Sequence, residues 1–326
     1  MRAVALCTCL LAATAGAAAQ SDWRTWAEAA GTQHPLAGRV YDVASAKLSE
    51  PADGPFALPP DGLVLLGEVH DNPAHHRLRG WLIAGALRAQ PDRRPAVVFE
   101  QIRADQQAAL DQFKALHEQC CRLTTAVDLL RLLDWDKSGW PPAEMYRPLF
   151  EAVVAGGLPI VPGDLPRDRV RAVARGGLDA LAGEERERLR LDSALPGALA
   201  DALRQELEES HCGALPPQAL GGMAVAQRYR DAHMADALLA AAQRHGSAIL
   251  IAGNGHVRTD RGVPWHLRQR APGTPVTAVL LVEVEDGRTE PADYVPRDPD
   301  GHPAADRIVF TPRAERGDPC ESLRKK

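Results

Sequence analysis

Five short apolar runs, separated by helical sequence, constrain the fold more than any other feature of this chain. Each run has the length of a single buried strand. They lie at 62–67, 95–100, 158–163, 247–253 and 276–284. Strands that alternate with helices form a mostly parallel sheet that is covered by helices on both faces. The sequence therefore predicts an α/β fold.

The sequence between the third and fourth runs is long and helical. Charged helical sequence continues to about His211, and one long helix is predicted from about Pro217 to His245. This stretch predicts a helical region inserted into the α/β domain. After Asp286 the chain is rich in Pro, Arg and Asp, which is typical of an extended, loop-like tail.

The N-terminal residues have the pattern of a secretory signal peptide. Arg2 precedes a short apolar run, and Ala17-Ala18-Ala19 offers a cleavage site before Gln20. The run has about 11 apolar residues, too few for a bilayer span of roughly 20, and no other stretch is long and apolar enough. No small-residue box ending in cysteine follows it, so we expect an exported, periplasmic or secreted chain without a lipid anchor. The predicted parts are a signal peptide 1–19, an N-terminal segment 20–54, an α/β domain 55–290 and a C-terminal tail 291–326.

Export would place the cysteines in an oxidising compartment, where they can form disulfides. Cleavage leaves Cys120, Cys121, Cys212 and Cys320, an even number in an oxidising compartment. Adjacent cysteines rarely bond to each other, which favours a Cys212–Cys320 disulfide that pins the tail to the helical region. Four unpaired thiols remain the alternative, because sequence alone does not fix connectivity.

The amino-acid composition argues against nucleic acid as a partner. The chain has 45% hydrophobic and 25% charged residues, as an ordinary globular protein does. Its net charge of −5 offers no basic face to neutralise phosphates, and its 5% aromatic content offers little surface for stacking bases. We therefore expect no nucleic-acid partner.

Polar side chains gather where the predicted strands end. Glu68 and His70 follow the first run, Glu100 ends the second, and His256 follows the fourth in Gly253-Asn254-Gly255-His256. Parallel strands bring their carboxyl ends to one edge of the sheet, where open α/β folds bind ligands. Two imidazoles and two carboxylates could hold a metal ion or act as acid and base. The plain alternative is a polar network that only ties strand ends together.

The long predicted helix carries a second anomaly. Gln227, Arg230 and Asp231 interrupt its apolar stripe, and buried polar groups there need partners. One interpretation is an internal salt-bridge set. The other is that the helix crosses the open sheet edge and contributes to the pocket.

Standard catalytic motifs are missing from the sequence. It has no Gly-x-Ser-x-Gly elbow, no phosphate-binding Gly-x-x-x-x-Gly-Lys loop and no His-Glu-x-x-His zinc helix. It also has no Cys-x-x-Cys-His, so covalent attachment of c-type haem is excluded.

Three segments resemble one known family. Leu66-Gly67-Glu68-Val69-His70-Asp71-Asn72-Pro73 is similar to the opening motif of the ChaN-like haem-binding uptake proteins of the Tiki superfamily. The segments 226–235 and 252–264 resemble its later motifs, and 140–149 and 156–160 fall between them in the expected order. The resemblance covers about residues 55–320.

This resemblance implies a protein that binds haem in connection with iron uptake and can pair two haems face to face in a homodimer. It also implies a tyrosine as axial ligand, since a phenolate suits ferric iron. Tyr146 lies in a family-like segment and Tyr229 on the anomalous helix, and both stay open as the ligand. His70, His256, Gln227, Arg230 and Asp231 are the further candidates for haem contact.

The same superfamily contains metal-dependent peptidases and esterase-like hydrolases. An enzyme is therefore the alternative, in which Glu68, His70, Glu100 and His256 hold a divalent metal ion or activate water. A third possibility is a periplasmic scaffold that has kept the fold and binds neither haem nor metal.

Overall fold

The computed structural model describes residues 31–50, 62–119, 124–317 and 320. The predicted signal peptide 1–19 lies outside the described residues, as do Cys120 and Cys121.

The described strands form one eight-stranded sheet in the order β2-β1-β8-β7-β3-β6-β4-β5. The six strands from β8 to β5 run parallel, and β1 is antiparallel to both β2 and β8. This arrangement confirms the predicted α/β fold with its mostly parallel sheet. The strands are β1 (Val40–Asp42), β2 (Lys47–Ser49), β3 (Leu63–Leu66), β4 (Ala96–Arg103), β5 (Ile160–Asp164), β6 (Ala248–Ile251), β7 (Val276–Glu283) and β8 (Arg307–Thr311).

Helices cover both faces of the sheet because alternate strand residues point to opposite sides. Leu66 and Phe99 pack on the face covered by α1 to α4, whereas Leu65 and Val98 pack on the face covered by α8 and α10. The helices are α1 (Pro73–Ala89), α2 (Gln107–Gln119), α3 (Ala126–Leu132), α4 (Ala143–Ala155), α5 (Arg167–Gly176), α6 (Gly183–Arg188), α7 (Gly197–Ser210), α8 (Pro217–His245), α9 (Asn254–Val257) and α10 (Val263–Arg270).

The chain crossings open a crevice at the carboxyl ends of the central strands. From β3 the chain crosses through α1 to β4 on one side, and from β6 it crosses through α9 and α10 to β7 on the other. Connections that leave in opposite directions separate at the strand ends, which is where open α/β sheets bind ligands.

Helices α5 to α8 form the inserted region between β5 and β6, and the long helix α8 spans the residues that the sequence predicts. Two smaller apolar clusters hold this region together, one around Val173 and Tyr229 and one around Leu203 and Trp265. The insertion thus has packing of its own and also contributes α8 to the main core.

The prediction of a wholly loop-like tail is wrong for residues 307–311. This segment forms β8, which pairs in parallel with β7 and antiparallel with β1. Its side chains Ile308, Val309 and Phe310 are almost completely buried. The short strands β1 and β2, which no periodicity marks, extend the same sheet. The sheet therefore takes strands from outside the range 55–290.

A disulfide joins the tail to the inserted region. Cys212 follows α7 and bonds to Cys320, with the two Cα atoms 5.7 Å apart. This is the pairing that the sequence favours, and it closes a loop of 108 residues.

No helix within the described ranges is both long and apolar enough to span a membrane.

Candidate functional site

The site lies at the carboxyl edge of the sheet and begins with an irregularity in β4. Phe99 pairs with Pro162 of β5, but the next pairing joins Arg103 to Asp164, so β4 carries extra residues at this point. A bulge of this kind re-aims side chains beside a site. Here it lets the consecutive residues Glu100 and Gln101 both reach the site, and both are buried.

Glu68 is the centre of the first half of the site, which we call the Glu68 network (Glu68, His70, His76, Arg79, Gln101 and Tyr146). One of its oxygens, Oε1, accepts hydrogen bonds from the Tyr146 hydroxyl at 2.8 Å and from Gln101 Nε2 at 2.9 Å. The same oxygen lies 2.6 Å from Nδ1 of His70. The other oxygen pairs with Arg79, and both of these side chains are fully buried. A buried carboxylate needs such partners because burial without them is costly.

Two helices bring these partners to Glu68. Helices α1 and α4 approach so closely that a Cβ on Gly80 would lie 2.7 Å from the carbonyl oxygen of Pro148. This contact places the ring of Tyr146 3.8 Å from the ring of His76, measured between centroids. The packing of α1 on α4 therefore sets the position of the Tyr146 hydroxyl.

His76 holds the backbone beside His70. Burial lowers the pKa of His76 to about 3, so its ring is neutral. Its Nε2 donates to the carbonyl oxygen of His70 at 2.9 Å, and its Nδ1 accepts from Arg79 at 2.6 Å. These two bonds agree with a single tautomer of the neutral ring.

His70 is the member of the Glu68 network that reaches solvent. Its side chain is 41% exposed, while that of Glu68 is 0% exposed. Desolvation in the crevice lowers the pKa of His70, so the neutral form prevails at pH 7. In that form Nδ1 donates to Glu68, which leaves the lone pair of Nε2 available. The indole ring of Trp140 packs edge-on against this imidazole at 4.9 Å.

The second half of the site is the Glu100 network (Glu100, Asp164, Gln227, Arg230, Asp231 and His256). Arg230 on α8 donates to Glu100 at 2.8 Å and makes two bonds of 2.9 Å to Asp164. His256 lies between two carboxylates, 2.5 Å from Asp231 and 3.2 Å from Glu100. The side-chain amide of Gln227 contacts the same ring, 3.1 Å from Nδ1 of His256. The anomalous polar residues of the long helix thus form part of the site.

Charge pairing decides the protonation of this half. Burial acts to lower the pKa of His256, but the carboxylates of Glu100 and Asp231 outweigh it and raise the pKa to about 10. Burial acts to raise the pKa of Glu100, but His256 and Arg230 hold it well below its usual range. The pKa of Asp231 is raised because burial outweighs its pairing with His256. His256 is therefore an imidazolium, and both its nitrogens serve as donors.

The two networks meet at Gly253. Its backbone N–H donates to Glu100 at 2.7 Å. A Cβ at this position would lie 2.9 Å from Cε1 and 3.0 Å from Nε2 of the His70 ring. Glycine is thus required here by the close approach of the imidazole. The structure brings Glu68, His70, Glu100 and His256 to one edge of the sheet, in two adjoining groups.

The two candidate tyrosines lie in different places, and neither is exposed. The hydroxyl of Tyr146 is bound to Glu68, and burial raises its pKa. Tyr229 faces the apolar cluster of the inserted region and donates to Glu185 at 2.7 Å, and burial raises its pKa to about 12. The other tyrosines of the chain, Tyr41 and Tyr294, are buried as well. Raised pKa values and burial both oppose a phenolate ligand in this conformation.

The geometry does not favour the metal hypothesis. Within the described ranges, only Asp298, Asp300 and His302 place three ligand atoms within 4.8 Å of one another, and they lie in the tail. The carboxylates of Glu68 and Glu100 are already neutralised by Arg79 and Arg230. The alternative of a metal-dependent hydrolase gains no support from this arrangement.

Several site residues escape the sequence analysis. Arg79, Gln101 and His76 complete the Glu68 network, and Asp164 completes the Glu100 network. Asp164 ends an apolar run as the predicted residues do, so its position was a usable signal. For Arg79 the only signal is its place one turn after His76 on a helix that follows the first motif.

A partly exposed imidazole, held by a buried carboxylate at the carboxyl edge of a mostly parallel sheet, marks this edge as the candidate ligand site of an α/β protein. Residues 57–267 match the family model described as haem-binding uptake, Tiki superfamily, ChaN. The chain belongs to this family. No curated protein matches the chain.

Three solved structures are similar to this chain to different degrees. ChaN of Campylobacter jejuni, described with cofacial haem binding, has 20% identity and a TM-score of 0.62 and matches 83% of this chain and 95% of its own. The type III effector HopBA1 has 12% identity and a TM-score of 0.40 over 78% and 88% of the two chains. A Bacillus cereus protein has 15% identity and a TM-score of 0.33 over 69% and 67%. The similarity to ChaN supports the fold.

Proposed function

We propose that this protein is an exported haem-binding protein that serves haem or iron uptake. The family match over residues 57–267 supports the class of function. The observation that carries the site assignment is the exposed, neutral imidazole of His70, whose Nδ1 is fixed by the buried carboxylate of Glu68.

This geometry suits an axial ligand of haem iron. A ligating histidine presents one ring nitrogen to the metal and donates the other N–H to a carboxylate or carbonyl, which fixes the ring orientation and raises its basicity. His70 has this arrangement, with Nε2 open and Nδ1 on Glu68. Bound haem would supply the iron, and His70, with Trp140 packed beside it, would hold the group.

The other candidate ligands fit less well. Tyr146 and Tyr229 keep their hydroxyls on Glu68 and Glu185 in the interior. His256 is held as an imidazolium and has no lone pair to offer. We therefore assign haem ligation to His70. The other candidates support the site as members of the Glu100 network: Gln227, Arg230, Asp231 and His256.

Export rests on the predicted signal peptide 1–19. The Cys212–Cys320 disulfide is in keeping with an oxidising compartment such as the periplasm. A homodimer with two haems face to face is the corresponding proposal for assembly, since the structure of Campylobacter jejuni ChaN is described with cofacial haem. Light scattering of the hemin-loaded protein tests the dimer, and N-terminal sequencing of the exported protein tests the cleavage.

Titration with hemin tests the proposal. We expect a stoichiometric Soret change for the wild-type protein and its loss in His70→Ala. Tyr146→Phe and Tyr229→Phe test the tyrosine alternative and should keep the spectrum, and the surface variant His302→Ala is the control. If Tyr146→Phe loses the spectrum and His70→Ala keeps it, the iron ligand is a tyrosine and not His70. A wild-type protein without a specific Soret change would contradict haem binding altogether.

A further inference from the structure

The first turn of α1 carries two adjacent histidines, His75 and His76, and both are fully buried. His76 donates to the carbonyl oxygen of His70 at 2.9 Å. His75 contacts the backbone on the other side of the same residue, because its Nδ1 accepts from the N–H of Val69 at 2.8 Å. The pair of histidines therefore fixes the backbone on both sides of His70.

His75 also contacts the C-terminal strand. Burial holds the pKa of His75 well below its usual range, so its ring is neutral. Since Nδ1 accepts from Val69, Nε2 carries the proton and donates to Oγ1 of Thr311 at 2.7 Å. The Thr311 hydroxyl in turn donates to the carbonyl oxygen of Val282 on β7 at 3.3 Å. A continuous chain of hydrogen bonds thus joins the backbone beside His70 to strands β8 and β7.

A second contact joins the same two segments. The buried side chain of Asn72 donates to the carbonyl oxygen of Pro312, the residue after β8, at 3.0 Å. Its oxygen caps α1 by accepting from the N–H of Ala74 at 2.9 Å. The family match over residues 57–267 ends before Thr311 and Pro312. The contribution of these two residues to the site therefore follows from the structure alone.

Packing by itself does not require a histidine at position 75. A buried imidazole costs free energy unless its nitrogens are bonded, and an apolar side chain would fill the same volume without that cost. What His75 adds is a donor and an acceptor on two sides of one rigid ring. This arrangement suits a residue that sets the position of the neighbouring loop.

We propose that His75 and Thr311 are positioning residues for His70, so that the end of β8 sets the orientation of the ligand-binding imidazole. The inference rests on the proposed function, because the ligand is taken to bind at His70. Replacing the outer partners that orient a metal ligand commonly weakens metal binding by about 10- to 100-fold. His75 and Thr311 act through the backbone, so we expect an effect at the lower end of this range.

Hemin titration and hydrogen exchange of the ligand-free protein test the proposal together. Thr311→Val keeps the shape of the side chain but removes the acceptor of His75. It should weaken hemin binding about tenfold and speed the exchange of the Val69 amide. Thr311→Ser keeps a hydroxyl and should change hemin binding less than about twofold. Thr277→Val is the matched control: it removes a hydroxyl from β7 where that strand pairs with Val64, and it should leave affinity and exchange unchanged.

A double variant separates positioning from stability. Thr311→Val leaves the Nε2 proton of His75 buried without an acceptor, which should lower the unfolding midpoint by about 2–4 °C. His75→Phe combined with Thr311→Val has no such donor, so the midpoint should recover. Hemin binding should stay weak in the double variant, because the Val69 N–H has lost its acceptor. Hemin affinity that recovers together with the midpoint would show a purely structural role and overturn the proposal.

The outcomes also distinguish this proposal from the proposed function. If the wild-type protein binds hemin and Thr311→Val binds it equally well, the positioning role is refuted and the haem proposal stands. An equal loss of affinity in Thr277→Val would refute the positioning role too. If the wild-type protein does not bind hemin, the proposed function fails, and the positioning of a haem ligand fails with it.

Discussion

The site contains two histidines beside two glutamates, and their chemistry is opposite. His70 is partly exposed and neutral, and its single carboxylate partner, Glu68, is also bound by Arg79, Gln101 and Tyr146. His256 is buried between Glu100 and Asp231 and keeps its proton to a pKa of about 10. The sequence presents the two residues in the same way, each just after an apolar run.

The comparison shows that the balance between burial and adjacent carboxylates fixes the role of each imidazole. Desolvation outweighs the neighbouring charges at His70 and lowers its pKa. Glu100 and Asp231 surround His256 directly. One histidine is therefore left as a base with an open nitrogen, and the other becomes a buried cation that holds α8 and α9 against the sheet.

Replacement of Arg230 should produce the largest change in the free energy of unfolding, because it removes a buried cation from the Glu100 network. Arg230→Met keeps most of the volume but leaves Asp164 without this cation and Glu100 with His256 as its remaining charged partner. We expect a loss of about 3–5 kcal/mol in the free energy of unfolding, as for other broken buried ion pairs. Urea unfolding measures it. Arg171→Met, on an exposed surface, is the control and should cost less than about 0.5 kcal/mol. A loss of under about 1 kcal/mol for Arg230→Met would show that the Glu100 network is not a charge-paired unit.

The second prediction concerns pH and separates the two histidines. The pKa of His256 is raised from 6.5 to about 10 in the folded protein. The folded state binds this proton more tightly than the unfolded chain, so the contribution is complete below pH 6.5 and is lost as pH rises through about 10. The pKa of His70 is lowered instead, so its effect has the opposite sign and appears as a loss of stability when pH falls below 6.5.

Unfolding free energies at pH 6.5 and pH 10 measure this effect. We expect the wild-type protein to lose on the order of 3 kcal/mol more over this range than His256→Gln does. His302→Gln, which alters an exposed histidine, should follow the wild-type protein. Equal pH slopes for the wild-type protein and His256→Gln would contradict a buried imidazolium.

A methyl group at the junction of the two networks should have the smallest effect on stability but a clear effect on the ligand. In Gly253→Ala the new Cβ would meet the His70 ring at 2.9 Å. We expect a loss of about 1–3 kcal/mol from overpacking, together with weaker hemin binding as the imidazole moves. Gly255→Ala is the matched control, since its Cβ would meet only the flexible end of Glu206 at 3.2 Å. Similar stability and hemin affinity in the two variants would mean that Gly253 does not position His70.

Local sequence pattern predicts a large part of this protein. The five apolar runs correspond to β3, β4, β5, β6 and β7, and helix α8 lies where the pattern places it. The strands β1, β2 and β8 were missed because three to five residues between prolines and charges give no readable period. Their pairing depends on a sheet edge that only the folded domain supplies.

The sequence by itself determined that Glu68, His70, Glu100 and His256 lie at one edge, because parallel strands have one direction and each residue follows a strand. Only the tertiary structure decided what each of them does. The burial of Tyr146, the pairing of Arg79 with Glu68 and the enclosure of His256 arise from the way helices α1, α4 and α8 pack against the sheet edge. Protonation and ligand access depend on these neighbours in space, and local patterns carry no information about them.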